Sequence, residues 1–203
     1  MRGLYLVTPN WDDTEKLLAT TEQALRAGIG LLQYRHKNAD AALRREQAGA
    51  LLALCRRYAC PLVINDFAEL CRELDADGLH VGGTDAPVAA MRVLLGPDKI
   101  VGASCYGDLG LARAAERAGA SYVAFGGFYP SLVKQYPVTT PPDIVAEAKR
   151  AIKLPCVVIG GMTPDNAAPL VARGADMAAA ISSIYLAADP AAAVRRFNAL
   201  FTP

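Results

Sequence analysis

The sequence predicts a closed (β/α)8 TIM barrel, an α/β fold of one domain, on three observations. Short apolar runs alternate with helical patterns from one end to the other, eight of each. The runs stay apolar throughout, as in Leu62-Val63-Ile64 and Tyr122-Val123-Ala124-Phe125, which suits parallel strands buried on both faces. No Gly-x-Gly-x-x-Gly follows the first run, and that weighs against the rival, an open doubly wound sheet.

The elements follow in order. Residues 4–8 read as the first strand, and 12–27 as a helix with Leu17, Leu18, Ala24 and Leu25 at helical spacing. Strand 31–35 precedes helix 40–58, and strand 62–65 precedes a short helix over 67–74. Strand 78–81 leads to helix 86–95, and strand 100–104 to helix 109–118. Strand 122–125 opens the longest connection, 126–142, before helix 143–152. Strand 156–159, helix 164–173, strand 177–181 and helix 190–200 complete eight units. Gly28, Gly119 and Gly174 stand just ahead of strands and Gly78 opens one, and all four read as glycine C-caps that end the preceding helices. The domain spans 1–203 without a linker.

Lys and Arg number 21 against 20 Asp and Glu, so the net charge is +1. That balance excludes a broad electrostatic footprint for nucleic acid or membrane and leaves local anion binding by small molecules. A homo-oligomer stays open. Five cysteines without a Cys-x-x-Cys pair read as free thiols of a reducing compartment. Residues 1–9 carry no signal-peptide pattern, and no apolar stretch approaches the roughly 20 residues of a membrane span. The expected location is cytoplasmic.

In a barrel of this kind, chemistry sits at the C-terminal ends of the strands. Polar residues collect at those ends here. Gln33, Arg35 and Lys37 alternate along the second strand's end and share a face. Two cations and an amide suit a phosphorylated ligand, or else form a solvated basic strand end. Asp66 closes the third strand and Asp85 follows the fourth. Two hard oxygen ligands on adjacent strands suit Mg2+ beside substrate phosphates, while helix capping is the competing role. Gly160-Gly161 follows the seventh strand and Ser182-Ser183 the eighth, where barrels often bind phosphate through backbone N–H groups. Two anion sites imply two phosphorylated substrates. His80, inside the fourth strand, reads as a packed structural histidine. His36 points away from Arg35 and Lys37. No Ser–His–Asp order or activated cysteine stands out.

Taken together, these motifs resemble thiamine-phosphate synthase. The resemblance is carried by Gln33-x-Arg35-x-Lys37, by Leu62-Val63-Ile64-Asn65-Asp66, and by Ala76-Asp77-Gly78-Leu79-His80-Val81-Gly82 with Asp85 three residues on. Val101-Gly102-Ala103-Ser104, Phe128-Tyr129-Pro130-Ser131 with Lys134, Ile159-Gly160-Gly161-Met162-Thr163-Pro164 with Asn166, and Ile181-Ser182 continue it in register. It implies a Mg2+-dependent transferase that joins hydroxymethylpyrimidine pyrophosphate to a thiazole phosphate, giving thiamine phosphate and pyrophosphate. Gln33, Arg35, Lys37, Asn65, Ser104 and Lys134 would hold the pyrimidine pyrophosphate, with Arg35, Ser104 and Lys134 catalytic. Asp66 and Asp85 would be the metal ligands. Gly161, Ile181 and Ser182, with Ser131 and Val133, would hold the thiazole phosphate. The implied chemistry is ionisation of the methylene–pyrophosphate bond and attack of the thiazole nitrogen on the resulting cation.

Three positions depart from the family pattern. Val133 replaces a hydroxyl residue, Phe67 stands where an arginine often follows Asn-Asp, and Gly83 stands where a glutamine often sits. A related family of thiazole tautomerases and regulators uses a histidine just after the sixth strand, where this chain has Gly127.

Overall fold

The computed structural model describes residues 1–82, 87–131 and 139–202. Eight parallel strands close into a barrel in sequence order, with the last paired to the first. They are β1 (Gly3–Val7), β2 (Leu31–Tyr34), β3 (Leu62–Asn65), β4 (Gly78–Val81), β5 (Ile100–Tyr106), β6 (Tyr122–Gly126), β7 (Cys156–Ile159) and β8 (Met177–Ala180). The helices are α1 (Thr14–Arg26), α2 (Ala41–Arg57), α3 (Ala68–Leu74), α4 (Val88–Leu95), α5 (Leu109–Arg117), α6 (Ile144–Ala151), α7 (Pro164–Ala172), α8 (Ser182–Tyr185) and α9 (Pro190–Ala199).

Side-chain acceptors start many of these helices by satisfying N–H groups that the first turn leaves open. Asp13 accepts from the Lys16 amide, Asp40 from Leu43, Asp108 from Gly110 and Leu111, and Asp189 from Ala192. Thr163 and Asn166 form a reciprocal capping box on α7.

Strand alternation divides the apolar residues into two cores. Leu4 and Leu6 face outward into the layer between sheet and helices, together with Leu32, Ile64 and Val158. Tyr5, Val7, Leu31, Val63, Tyr122, Val157, Met177 and Ala179 fill the barrel interior. Toward the C-terminal ends the interior set changes from apolar to polar, and the site begins there.

The structure corrects two expectations. Gly78 is no C-cap. It lies within β4, where a Cβ would sit 2.1 Å from the Ile100 carbonyl oxygen, so close strand approach demands glycine. Asp75 ends α3 instead, in the left-handed region at φ 52°. The four-residue α8 is an extra element, lying between strand 177–181 and helix 190–200 of the sequence reading. No helix among the described residues is long and apolar enough to cross a membrane.

Candidate active site

A cavity opens at the C-terminal end of the barrel. From the polar end of the interior it is lined by Gln33, Arg35, Asn65, His80 and Ser104. The opposite wall consists of Gly160, Gly161, Ile181 and Ser182 from the connections after β7 and β8, and Ser131 joins the lining. Eight predicted site residues therefore share one cavity: Gln33, Arg35, Asn65, Ser104, Ser131, Gly161, Ile181 and Ser182. Asp85, Val133 and Lys134 lie outside the described residues.

Arg35 is 7% exposed and held by its backbone. The Thr8 hydroxyl, at the end of β1, accepts from the Arg35 amide at 2.8 Å and donates to the Arg35 carbonyl at 3.1 Å. A guanidinium in the wall of this cavity suits an anionic ligand, with its planar donors matched to phosphate oxygens. His36 turns the other way, as the alternation predicts. Its Nε2 meets Asp12 at 3.0 Å, and its Nδ1 accepts from the Ala39 amide.

Lys37 and Asp66 form a pair beside this wall, with Nζ 3.4 Å from Oδ2. The Asn65 amide donates to the same carboxylate at 2.5 Å. Asp66 adopts φ 64°, a left-handed conformation that Asp tolerates better than most residues. Helix capping is not its role, because Phe67 is the N-cap of α3 and no side chain caps that end. Lys37 is half exposed, so its attraction contributes on the order of 0–1 kcal/mol, small beside what a divalent cation would supply. A hard, partly exposed oxygen donor next to Asn65 fits a divalent metal with one or two protein carboxylates. The described residues contain no cluster of three metal-ligating side chains, and the second expected carboxylate, Asp85, is not among them.

The β7 connection is built around close backbone contact. Gly161 has φ 60°, and a Cβ there would meet the Pro130 carbonyl oxygen at 2.1 Å. Asn166 clamps the turn by donating to the Gly161 carbonyl at 2.9 Å, while Tyr129 Oη donates to the Asn166 carbonyl at 3.0 Å. At Phe67, the departure noted from the family pattern, the Arg44 guanidinium lies 3.7 Å above the ring.

Sequence reasoning missed His80, Tyr5, Tyr122, Thr139 and Thr140. His80 is well packed, as expected, but it also lines the cavity, bonded to Tyr122 and Ser104. Its signal was a polar residue within an otherwise apolar inward register. Burial pushes the Tyr5 and Tyr122 phenols well above their ordinary pKa, so both stay protonated. Burial also raises the thiols of Cys71 and Cys156 to about 11 and that of Cys105 to about 12. The Cys55 thiol is raised by its contact with Cys60 and then by burial. All five cysteines are free and buried. A thiolate nucleophile has no place in this site.

Residues 4–184 match the family described as thiamine monophosphate synthase. A thiamine-phosphate synthase from Janthinobacterium sp. (strain Marseille) is 68% identical over 99% of this chain and 97% of its own length. Another from Methylobacillus flagellatus is 50% identical over 99% of this chain and 96% of its own. Among solved structures, a thiamine phosphate pyrophosphorylase from Pyrococcus furiosus superposes with a TM-score of 0.85 at 29% identity. That match covers 98% of this chain and 95% of the other.

Proposed function

The chain belongs to the thiamine monophosphate synthase family, and from that premise we propose how its residues carry out the transfer. It has the activity of a thiamine-phosphate synthase, a transferase of thiamine biosynthesis. Its substrates are hydroxymethylpyrimidine pyrophosphate and a thiazole phosphate, bound within the barrel domain over 1–203. One observation carries this reading. A single cavity has a cationic amide-and-hydroxyl wall formed by Gln33, Arg35, Asn65 and Ser104, and a glycine-and-serine wall formed by Gly161 and Ser182.

Gln33 and Ser104 hold the pyrimidine ring. Arg35, Lys37, Asn65 and Lys134 bind its pyrophosphate. Ser131, Val133, Gly161, Ile181 and Ser182 hold the thiazole phosphate, largely through backbone N–H groups. The methylene C–O bond breaks, pyrophosphate leaves with the electron pair, and the thiazole nitrogen forms the new C–N bond. Arg35 and Lys134 stabilise charge gathering on the leaving group, which needs no protein nucleophile. Asp66 and Asp85 would hold Mg2+, which when bound neutralises pyrophosphate oxygens. Five buried, free thiols support a cytoplasmic setting.

The direct test is purified protein with both substrates and Mg2+, with detection of thiamine phosphate. Product should form, vanish with EDTA and return with added Mg2+. With Gly127 after β6, the protein should not accelerate tautomerisation of thiazole carboxylates. Proton exchange followed by NMR checks this, and rapid interconversion without pyrimidine would favour the tautomerase reading. Gly161→Ala should raise KM for the thiazole phosphate by about tenfold or more, because the new methyl meets a fixed carbonyl and alanine disfavours φ above zero by roughly 1–2 kcal/mol. KM for the pyrimidine should move little. An unchanged thiazole KM would detach this turn from the phosphate.

A further inference from the structure

Five side chains from five strands form one hydrogen-bonded chain across the barrel interior. Gln33 Nε2 (β2) donates to Tyr5 Oη (β1) at 2.5 Å, and Tyr5 Oη meets Tyr122 Oη (β6) at 2.6 Å. Tyr122 Oη meets His80 Nδ1 (β4) at 2.8 Å, and His80 Nε2 meets Ser104 Oγ (β5) at 2.9 Å. Tyr5 and Tyr122 are almost wholly buried, Gln33 is 4% exposed and His80 7%. Both ends, Gln33 and Ser104, line the cavity.

Proton counting gives the chain a direction. Each neutral phenol has one proton to give. Tyr5 Oη accepts from Gln33, so its own proton goes to Tyr122. Tyr122 then gives its proton to His80 Nδ1. A neutral imidazole with Nδ1 accepting carries its hydrogen on Nε2, and it donates that hydrogen to Ser104 Oγ. The Ser104 proton is left for the cavity. At the other end the Gln33 amide nitrogen is engaged inside, which leaves Oε1 as the acceptor.

We propose that Tyr5, Tyr122 and His80 are positioning residues that fix a donor at Ser104 and an acceptor at Gln33, and so select a heterocycle offering a ring-nitrogen acceptor to Ser104 and an amino group to Gln33. A 4-aminopyrimidine has that pattern. A 4-oxopyrimidine turns a carbonyl toward Gln33 Oε1 and leaves buried polar groups mismatched, the situation in which binding sites discriminate most sharply. The inference rests on the reading that Gln33 and Ser104 hold the pyrimidine.

The test is binding of the 4-amino and 4-oxo forms of the pyrimidine pyrophosphate with Mg2+ and no thiazole, beside 15N NMR of the histidines. The wild type should prefer the amino form by on the order of 10²-fold or more, with His80 in one Nε2–H tautomer. Tyr122→Phe removes the central hydroxyl and frees the chain to reverse. The preference should fall below about tenfold and the single-tautomer signature should disappear, with the fold verified by circular dichroism. Tyr5→Phe should act in the same direction, and it carries the test if Tyr122→Phe fails to fold. Wild-type preference and signature in both variants would overturn the proposal and reduce the phenols to packing. Equal binding of the two forms by the wild type would overturn it while leaving the site reading intact. Binding of neither form would remove the site reading, and the inference with it.

Discussion

Asp66→Asn should lower kcat/KM by on the order of 10²–10³ at ordinary Mg2+ and recover part of the loss at high Mg2+. The magnitude is that of removing one preorganised electrostatic contact from a phosphoryl-type leaving group. Asparagine is the informative replacement because it tolerates the φ of 64° at this position. It therefore changes the charge while leaving the turn after β3 in place. Asp66→Ala removes the carboxylate and also strains the backbone by roughly 1–2 kcal/mol, so its activity has to be read beside a thermal melt. Asp66→Gly relieves the strain without restoring the ligand and should stay as inactive as the asparagine variant. Steady-state assays across a Mg2+ titration check all three. Full activity in Asp66→Asn without added metal would end the two-carboxylate assignment.

Lys134→Ala should depress kcat by about 10²–10³ with only a modest change in pyrimidine affinity, and Lys134→Arg should recover part of it. Lys134 lies outside the described residues, but the described residues flanking its segment, Ser131 and Thr139, both line the cavity. A connection as long as 126–142 in a chain of this size is more often functional than incidental. An ammonium whose contact strengthens as charge builds on the leaving pyrophosphate acts on kcat more than on KM. A solvated loop lysine would change kcat by less than about threefold, in line with the small energies of exposed charges. One steady-state comparison separates the two.

Much of this architecture is legible in the sequence. The bounds of β3, β4 and β7 follow from apolar runs cut off by turn residues, and Asp40 marks where a helix begins. The four residues of α8 span barely one turn, too little for periodicity to register. Gly78 was misread because a glycine ahead of a strand looks the same whether it closes a helix or makes room for a neighbouring strand. Of the site, the residues at strand ends were legible because barrels put chemistry there. The Tyr5–Tyr122–His80 chain was not. Alternation tells which residues share a face, but the meeting of Tyr5 with Tyr122, 117 positions apart, exists only once the barrel closes. The left-handed turn at Asp66 was equally invisible, since the residue type permits it without requiring it.

Gly102 stands opposite Tyr122 in the β5–β6 pairing, and a Cβ on it would sit 2.0 Å from the phenol ring. The two positions thus behave as one volume shared between two strands. A methyl at 102 is admissible only after the ring at 122 has been given up, and giving up the ring removes the hydroxyl that orients His80. Mutational routes through this barrel are consequently ordered. Position 122 must change first, position 102 second, and every route that enlarges 102 passes through a protein that has already lost its hydrogen-bonded chain.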